Sequence, residues 1–168
     1  KRKSEEQTLT SLRQLLGTSF PKLGKDENGN ILFTEKSFIK DRLDALSNDA
    51  SNTDPETNNQ INQIKTLASQ IVEIYQSHPE GLKDNPYALP TRVLALTHLL
   101  GFASSFNCKS GKDRTGVCAM ELSNLCAQMM SGQPITNPMK PISEQEQKNL
   151  QAIYHEGSCV RDIPKINT

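Results

Sequence analysis

Tryptophan is absent from the 168 residues, and five Phe and three Tyr are the only aromatics. Hydrophobic residues make up 35% of the chain, so any core must be mainly aliphatic. No apolar run approaches 18 residues, which leaves no candidate membrane span. There is no excess of either charge: 19 basic and 19 acidic side chains cancel. A global field drawing the chain to nucleic acid is therefore excluded, and any anion site must be built locally. Cysteines are few (Cys108, Cys118, Cys126 and Cys159) with no C-x-x-C pair, and with three histidines they form no zinc pattern. A disulfide framework does not suit so long and Cys-poor a chain, and the thiols read as reduced, in a cytosol-like compartment. The opening Lys1-Arg2-Lys3 is followed by Ser-Glu-Glu and not by an apolar stretch, so it is no signal peptide; it reads as the start of a piece of a longer protein.

What is present is mostly helical periodicity. Leu9, Leu12, Leu15 and Leu16 recur at helical spacing up to Gly17. Asp26 to Asn30 is a turn signal, and Ile31-Leu32-Phe33 after it is expected as a short strand. Phe38, Ile39, Leu43 and Leu46 suit a second helix. Ser47 to Gln60 reads SNDASNTDPETNNQ, expected as a mobile loop. Ile61, Ile64, Leu67, Ala68, Ile71, Val72 and Tyr75 form the clearest amphipathic helix, ending near His78-Pro79. A long connection marked by Pro79, Gly81, Pro86 and Pro90 follows. Val93 to Phe106 is nearly all apolar, with a buried helix first and a strand expected over Ala103 to Phe106. Arg114 to Met130 reads as a helix, and Ser143 with Glu146 makes a capping box for a last one reaching about His155. The expectation is one helix-rich α/β catalytic domain over residues 1–168, with a small sheet flanked by helices and a phosphatase-type loop between a central strand and a helix.

The informative segment is Phe106-Asn107-Cys108-Lys109-Ser110-Gly111-Lys112-Asp113-Arg114-Thr115-Gly116. Cys and Arg stand six positions apart, the C-x5-R spacing. Five intervening residues let the backbone curl around a tetrahedral phosphate with its N–H groups turned inward. Gly111 permits the backbone angles such a curl demands, and the following helix adds its positive end. In this arrangement Cys108 is the nucleophile, as a thiolate whose pKa is lowered by that helix end and nearby cations. Arg114 forks two phosphoryl oxygens, and Thr115 donates a hydrogen bond to the departing thiolate. Lys109 and Lys112 suit a substrate with more than one phosphate, and Ser110 and Gly111 complete the cradle. No metal or cofactor is called for. Asp113 is either the general acid that protonates the leaving oxygen or a group that orients Arg114 and caps the helix. Asp84 and Asp162 are outside candidates for the acid.

The string Cys-Lys-Ser-Gly-Lys-Asp-Arg-Thr-Gly resembles the catalytic loop of C-x5-R phosphoinositide phosphatases. It is nearest to bacterial secreted effectors of the SopB/IpgD and SidF kind, and similar to the inositol polyphosphate 4-phosphatases. That resemblance covers about ten residues. It implies removal of a ring phosphate from a phosphoinositide or soluble inositol polyphosphate, with 3- or 4-phosphatase activity, in a monomer that meets a host membrane only through its substrate. It maps the nucleophile to Cys108, the phosphate clamp to Arg114 and the head-group contacts to Lys109 and Lys112. The competing readings are a protein tyrosine or dual-specificity phosphatase, disfavoured by Lys109 and Lys112, and a catalytically silent phosphoinositide-binding module.

Outside the segment the expectations are plain. His98 is expected as a satisfied core residue, and His78 and His155 as helix-end residues. Cys118 and Cys126 are expected to pack, with a protective disulfide from Cys118 to Cys108 as a lesser alternative. Met120, Met129 and Met130 are expected as core filler.

Overall fold

The computed structural model describes residues 2–48, 54–77, 86–104 and 113–141, with residues 144, 148 and 152. Five helices are bounded among the described residues: α1 (Arg2–Leu16), α2 (Phe38–Asn48), α3 (Pro55–Gln76), α4 (Ala88–Leu99) and α5 (Asp113–Met130). Among the described residues there is no strand and no sheet, which corrects the α/β expectation. A lone antiparallel bridge joins Lys25 to Ile31. Its failure to extend has a local cause. The Asp26 carboxylate accepts from the Asn28 and Asn30 N–H groups at 2.9 and 2.8 Å, closing the chain into a tight turn. Of the three apolar residues that follow, Phe33 is buried while Leu32 stays exposed, too short a run to recruit a partner strand. The strand expected over Ala103 to Phe106 fares no better where it can be seen. Ala103 and Ser104 are exposed and irregular, and Ser105 and Phe106 lie outside the described residues.

Helix α3 is the spine. Its apolar residues Ile64, Leu67, Ala68, Ile71, Val72 and Ile74 are all buried, the spacing of one broad helical face. Around it pack Leu12, Leu15 and Leu16 from α1, Ile39 from α2, Ala95 and Leu96 from α4, and Leu125 from α5. Phe20 fills the floor beside Tyr75, ring centroids 4.9 Å apart. Gly17 ends α1 as expected, at φ 127°, where a side chain would be strained and would meet Glu35. The Glu35 carboxylate holds this corner by accepting from the Ser19 hydroxyl, the Thr18 hydroxyl at 2.6 Å and the Ser19 N–H at 2.8 Å. The Ser19 and Thr18 bonds hold its pKa down to about 2.

The loop expected over residues 47–60 is shorter than its composition suggests. Asp54 caps α3 by accepting from Glu56 N and Thr57 N, and Pro55 takes the first helical position, so the polar stretch from Pro55 to Gln60 is helical. Asp54→Ala is expected to cost about 1 kcal/mol of unfolding free energy, read as a lower urea midpoint. An unchanged midpoint would mean the cap contributes nothing. The connection before α4 is also shorter than expected, because Pro90 sits inside the first turn, where a missing N–H is harmless. Of the last expected helix, Glu144, Lys148 and Ala152 are described, each helical and exposed; Ser143 and Glu146 lie outside the described residues.

Candidate active site and its neighbours

Polar contacts fix the directions of the helices that flank the motif. Gln60 of α3 donates to the Leu99 carbonyl at the end of α4, while Gln70 accepts from Arg92 near the start of α4, so α3 and α4 are antiparallel. Gln63 of α3 donates to the Met129 carbonyl at the end of α5 at 2.9 Å. Arg92 feels the charge of Glu121 in the middle of α5, and His98 shares a cavity wall with Cys126 and Met129 near the end of α5. Helices α4 and α5 therefore run in the same sense. Asp113, the first residue of α5, lies toward the end of the bundle where α4 begins, while Leu100 leaves α4 at the opposite end.

Asp113 and Arg114 thus open α5, and Thr115 follows, partly buried, in its first turn. The helix half of the expected strand–loop–helix unit is in place. Cys108, Lys109, Ser110, Gly111 and Lys112 lie outside the described residues, as do Asp84, Asp162, His78, His155 and Cys159. Next along α5, Cys118 is buried, and burial pushes its thiol pKa up, with the negative charge of Glu121 acting in the same direction. Burial likewise raises Cys126. Both are protonated packing groups at neutral pH, the opposite of what a nucleophilic thiolate needs.

Two expectations are corrected here. His98 is exposed in the last turn of α4 and is no core residue. Met130 is 89% exposed. The other two methionines do pack, Met120 buried and Met129 against the core.

Sequence reasoning also missed a buried polar node beside α5. Arg92 is 6% exposed, and burial pulls its pKa down to about 10 against the pull of Glu121, leaving it charged at neutral pH. Its Nε donates to Gln70 Oε1 at 2.7 Å, Nη1 to the Ala88 carbonyl at 3.1 Å and Nη2 to the Thr136 carbonyl at 2.8 Å. Gln128 of α5 meets the same residue: its Oε1 accepts from Thr136 N at 3.0 Å and its Nε2 donates to Thr136 Oγ1 at 2.8 Å. The sequence signal was faint, a single Arg at the head of an apolar helix.

Comparison with known proteins places this arrangement. The family model described as enterobacterial virulence protein IpgD matches residues 30–168. The chain belongs to the IpgD family. Its curated relatives include the inositol phosphate phosphatase SopB of Salmonella typhimurium, 42% identical over 62 residues, which are 35% of this chain and 11% of that protein. SopB of Salmonella blockley is 42% identical over the same length, 14% of that protein. The inositol phosphate phosphatase IpgD of Shigella flexneri is 43% identical over 63 residues, 36% of this chain and 12% of that protein. The matched stretch is thus a small part of each relative. No solved structure matches. Helix α1 precedes the residues that the IpgD family model matches, yet Leu12, Leu15 and Leu16 are built into the same core. Among the described residues no helix is long and apolar enough to cross a membrane.

Proposed function

We propose that this chain is a catalytic domain of an inositol phosphate phosphatase that works through a phosphocysteine on Cys108. The observation that carries the reading is the C-x5-R segment ending on the first turn of α5, in a chain of the IpgD family whose relatives are named inositol phosphate phosphatases. Helix α5 is 18 residues long, ample to bring its positive end to bear on a bound phosphate.

In this mechanism the Cys108 thiolate attacks phosphorus as the bond from phosphorus to the ring oxygen breaks. The leaving oxygen takes a proton from an acid, for which Asp113 is the nearest candidate in sequence, and departs as the alcohol. Water then attacks the phosphocysteine, inorganic phosphate leaves, and the thiolate returns, supported by the Thr115 hydroxyl. Arg114 and the amides of Lys109 to Asp113 hold the equatorial oxygens in both steps. Lys109 and Lys112 recognise neighbouring ring phosphates. The substrate is a phosphoinositide or soluble inositol polyphosphate attacked at the 3- or 4-position, and the working place is the reducing host cytosol at a membrane surface reached by a secreted effector.

The test is phosphate release across a panel of phosphoinositides, soluble inositol polyphosphates, a phosphotyrosine peptide and a small aryl phosphate. Turnover is expected on the inositol compounds in preference to the peptide; preference for the peptide overturns the substrate assignment. Lys109→Ala and Lys112→Ala are each expected to cost about tenfold in kcat/KM on multiply phosphorylated rings, the worth of a charge-assisted hydrogen bond. On the aryl phosphate the loss should be small. Equal losses on both would remove the head-group role.

A further inference from the structure

Apolar packing is not directional, so a helix held only by Leu122, Leu125 and Met129 can settle at neighbouring positions along its axis. One residue of slip advances a helix by about 1.5 Å and turns it by about 100°. For α5 such a slip would carry Arg114 and Thr115 away from the phosphate. Hydrogen bonds to fixed partners forbid it: Gln63 of α3 holds the Met129 carbonyl at the end of α5, and the others converge on Thr136, just past that end. Gln128 grips Thr136 from α5 itself, through both its N–H and its hydroxyl. Arg92 grips the Thr136 carbonyl and ties it at once to Gln70 on α3 and to the first turn of α4. Gln70 adds a second tie, donating to the Ile135 carbonyl at 3.3 Å. The chain after α5 is thereby bolted to the two helices against which α5 must be registered.

We propose that Arg92 is a positioning residue for phosphoryl transfer: through the Thr136 turn that Gln128 also holds, it sets the axial register of α5 and with it the placement of Arg114 and Thr115. The inference rests on the phosphatase reading above and adds to it a residue distant in sequence from the motif. Arg92 touches no substrate. Its effect is on alignment, and misplacement of a catalytic group by about 1 Å is enough to cost on the order of 100-fold in rate.

The experiment compares Arg92→Met, Arg92→Lys and Gln128→Leu in the 168-residue chain, with Leu12→Ala as the control. Leu12 is buried in α1 and has no part in the Thr136 node, so its truncation lowers the melting temperature without touching α5 register. Arg92→Met keeps the length and loses every donor. Arg92→Lys keeps the charge but cannot serve three acceptors lying in different directions. Assays are run well below each melting temperature, on protein whose near-ultraviolet circular dichroism is native. Arg92→Met is expected to lower kcat by about tenfold to 100-fold while KM stays within about threefold, the signature of lost alignment in the transition state. Arg92→Lys should recover part of that loss. Gln128→Leu, which leaves Arg92 its three partners, should also lower kcat, and it carries the test if Arg92→Met does not fold. The double variant should fall no further than the worse single one, because both act through Thr136. Leu12→Ala should keep its kcat. If the folded Arg92 and Gln128 variants keep wild-type kcat, or if Leu12→Ala loses as much, Arg92 is merely structural and the inference is overturned. An inactive wild type removes the phosphatase reading and this inference together; an active wild type beside an equally active Arg92→Met removes this inference alone.

Discussion

Cys108→Ser is expected to abolish phosphate release while leaving inositol phosphate binding within a few-fold of wild type. A serine hydroxyl is far less acidic than a thiol and stays protonated, whereas a cysteine thiol beside a helix N-terminus is brought within reach of neutral pH. Loss of a covalent nucleophile elsewhere costs on the order of 10⁶ in turnover, so release at background level is the outcome to expect. Binding should survive because it draws on the loop amides, the α5 terminus and Arg114, none of which the substitution alters. Isothermal titration with a soluble inositol polyphosphate measures the second half, and phosphate release the first. Turnover above a tenth of wild type in Cys108→Ser would refute covalent catalysis at this position. Loss of binding together with turnover would place the cysteine in a structural role.

Arg114→Lys ranks next. The substitution keeps a positive charge in the first turn of α5 but replaces a planar fork by a single ammonium. A transferring phosphoryl group spreads its charge over three oxygens, and an arginine that holds two of them is worth about 10³-fold or more in other phosphoryl-transfer enzymes. A fall of that order in kcat is expected, with a much smaller change in KM, because the fork matters most when the charge is fully developed. Steady-state kinetics on the preferred substrate decide it. If KM rises and kcat holds, Arg114 serves binding alone.

The helices were legible in the sequence because their buried residues recur at three and four positions, as Ile64, Leu67, Ala68 and Ile71 do. Strands were not, since Ile31-Leu32-Phe33 is a short apolar run whose period says nothing by itself, and Ala103 to Phe106 has two serines between its apolar ends. What decided the first of them was the Asp26 side chain, which satisfies the turn locally and leaves no ladder to extend. The start of α3 was hidden behind its Asn and Gln content, though Asp54-Pro55-Glu56 spells a helix beginning. His98 and Met130 show that an apolar neighbourhood in sequence does not place a side chain inside. For the motif, the sequence pattern anticipated the helix that opens at Asp113, while Cys108 to Lys112 lie outside the described residues. Arg92 could not be read that way. Its partners Gln70 and Thr136 lie 22 and 44 positions away, and only the packing of α4 against α3 and against the segment that follows α5 brings them together.

The shared direction of α4 and α5 also explains how much chain stands between them. A hairpin of antiparallel helices closes with a handful of residues, but here the chain must travel back beside a 12-residue helix, roughly 18 Å, before α5 can start. Stretched out, that journey uses about six residues. Residues 100–112 provide twice as many, so the return is spanned without strain on either helix end.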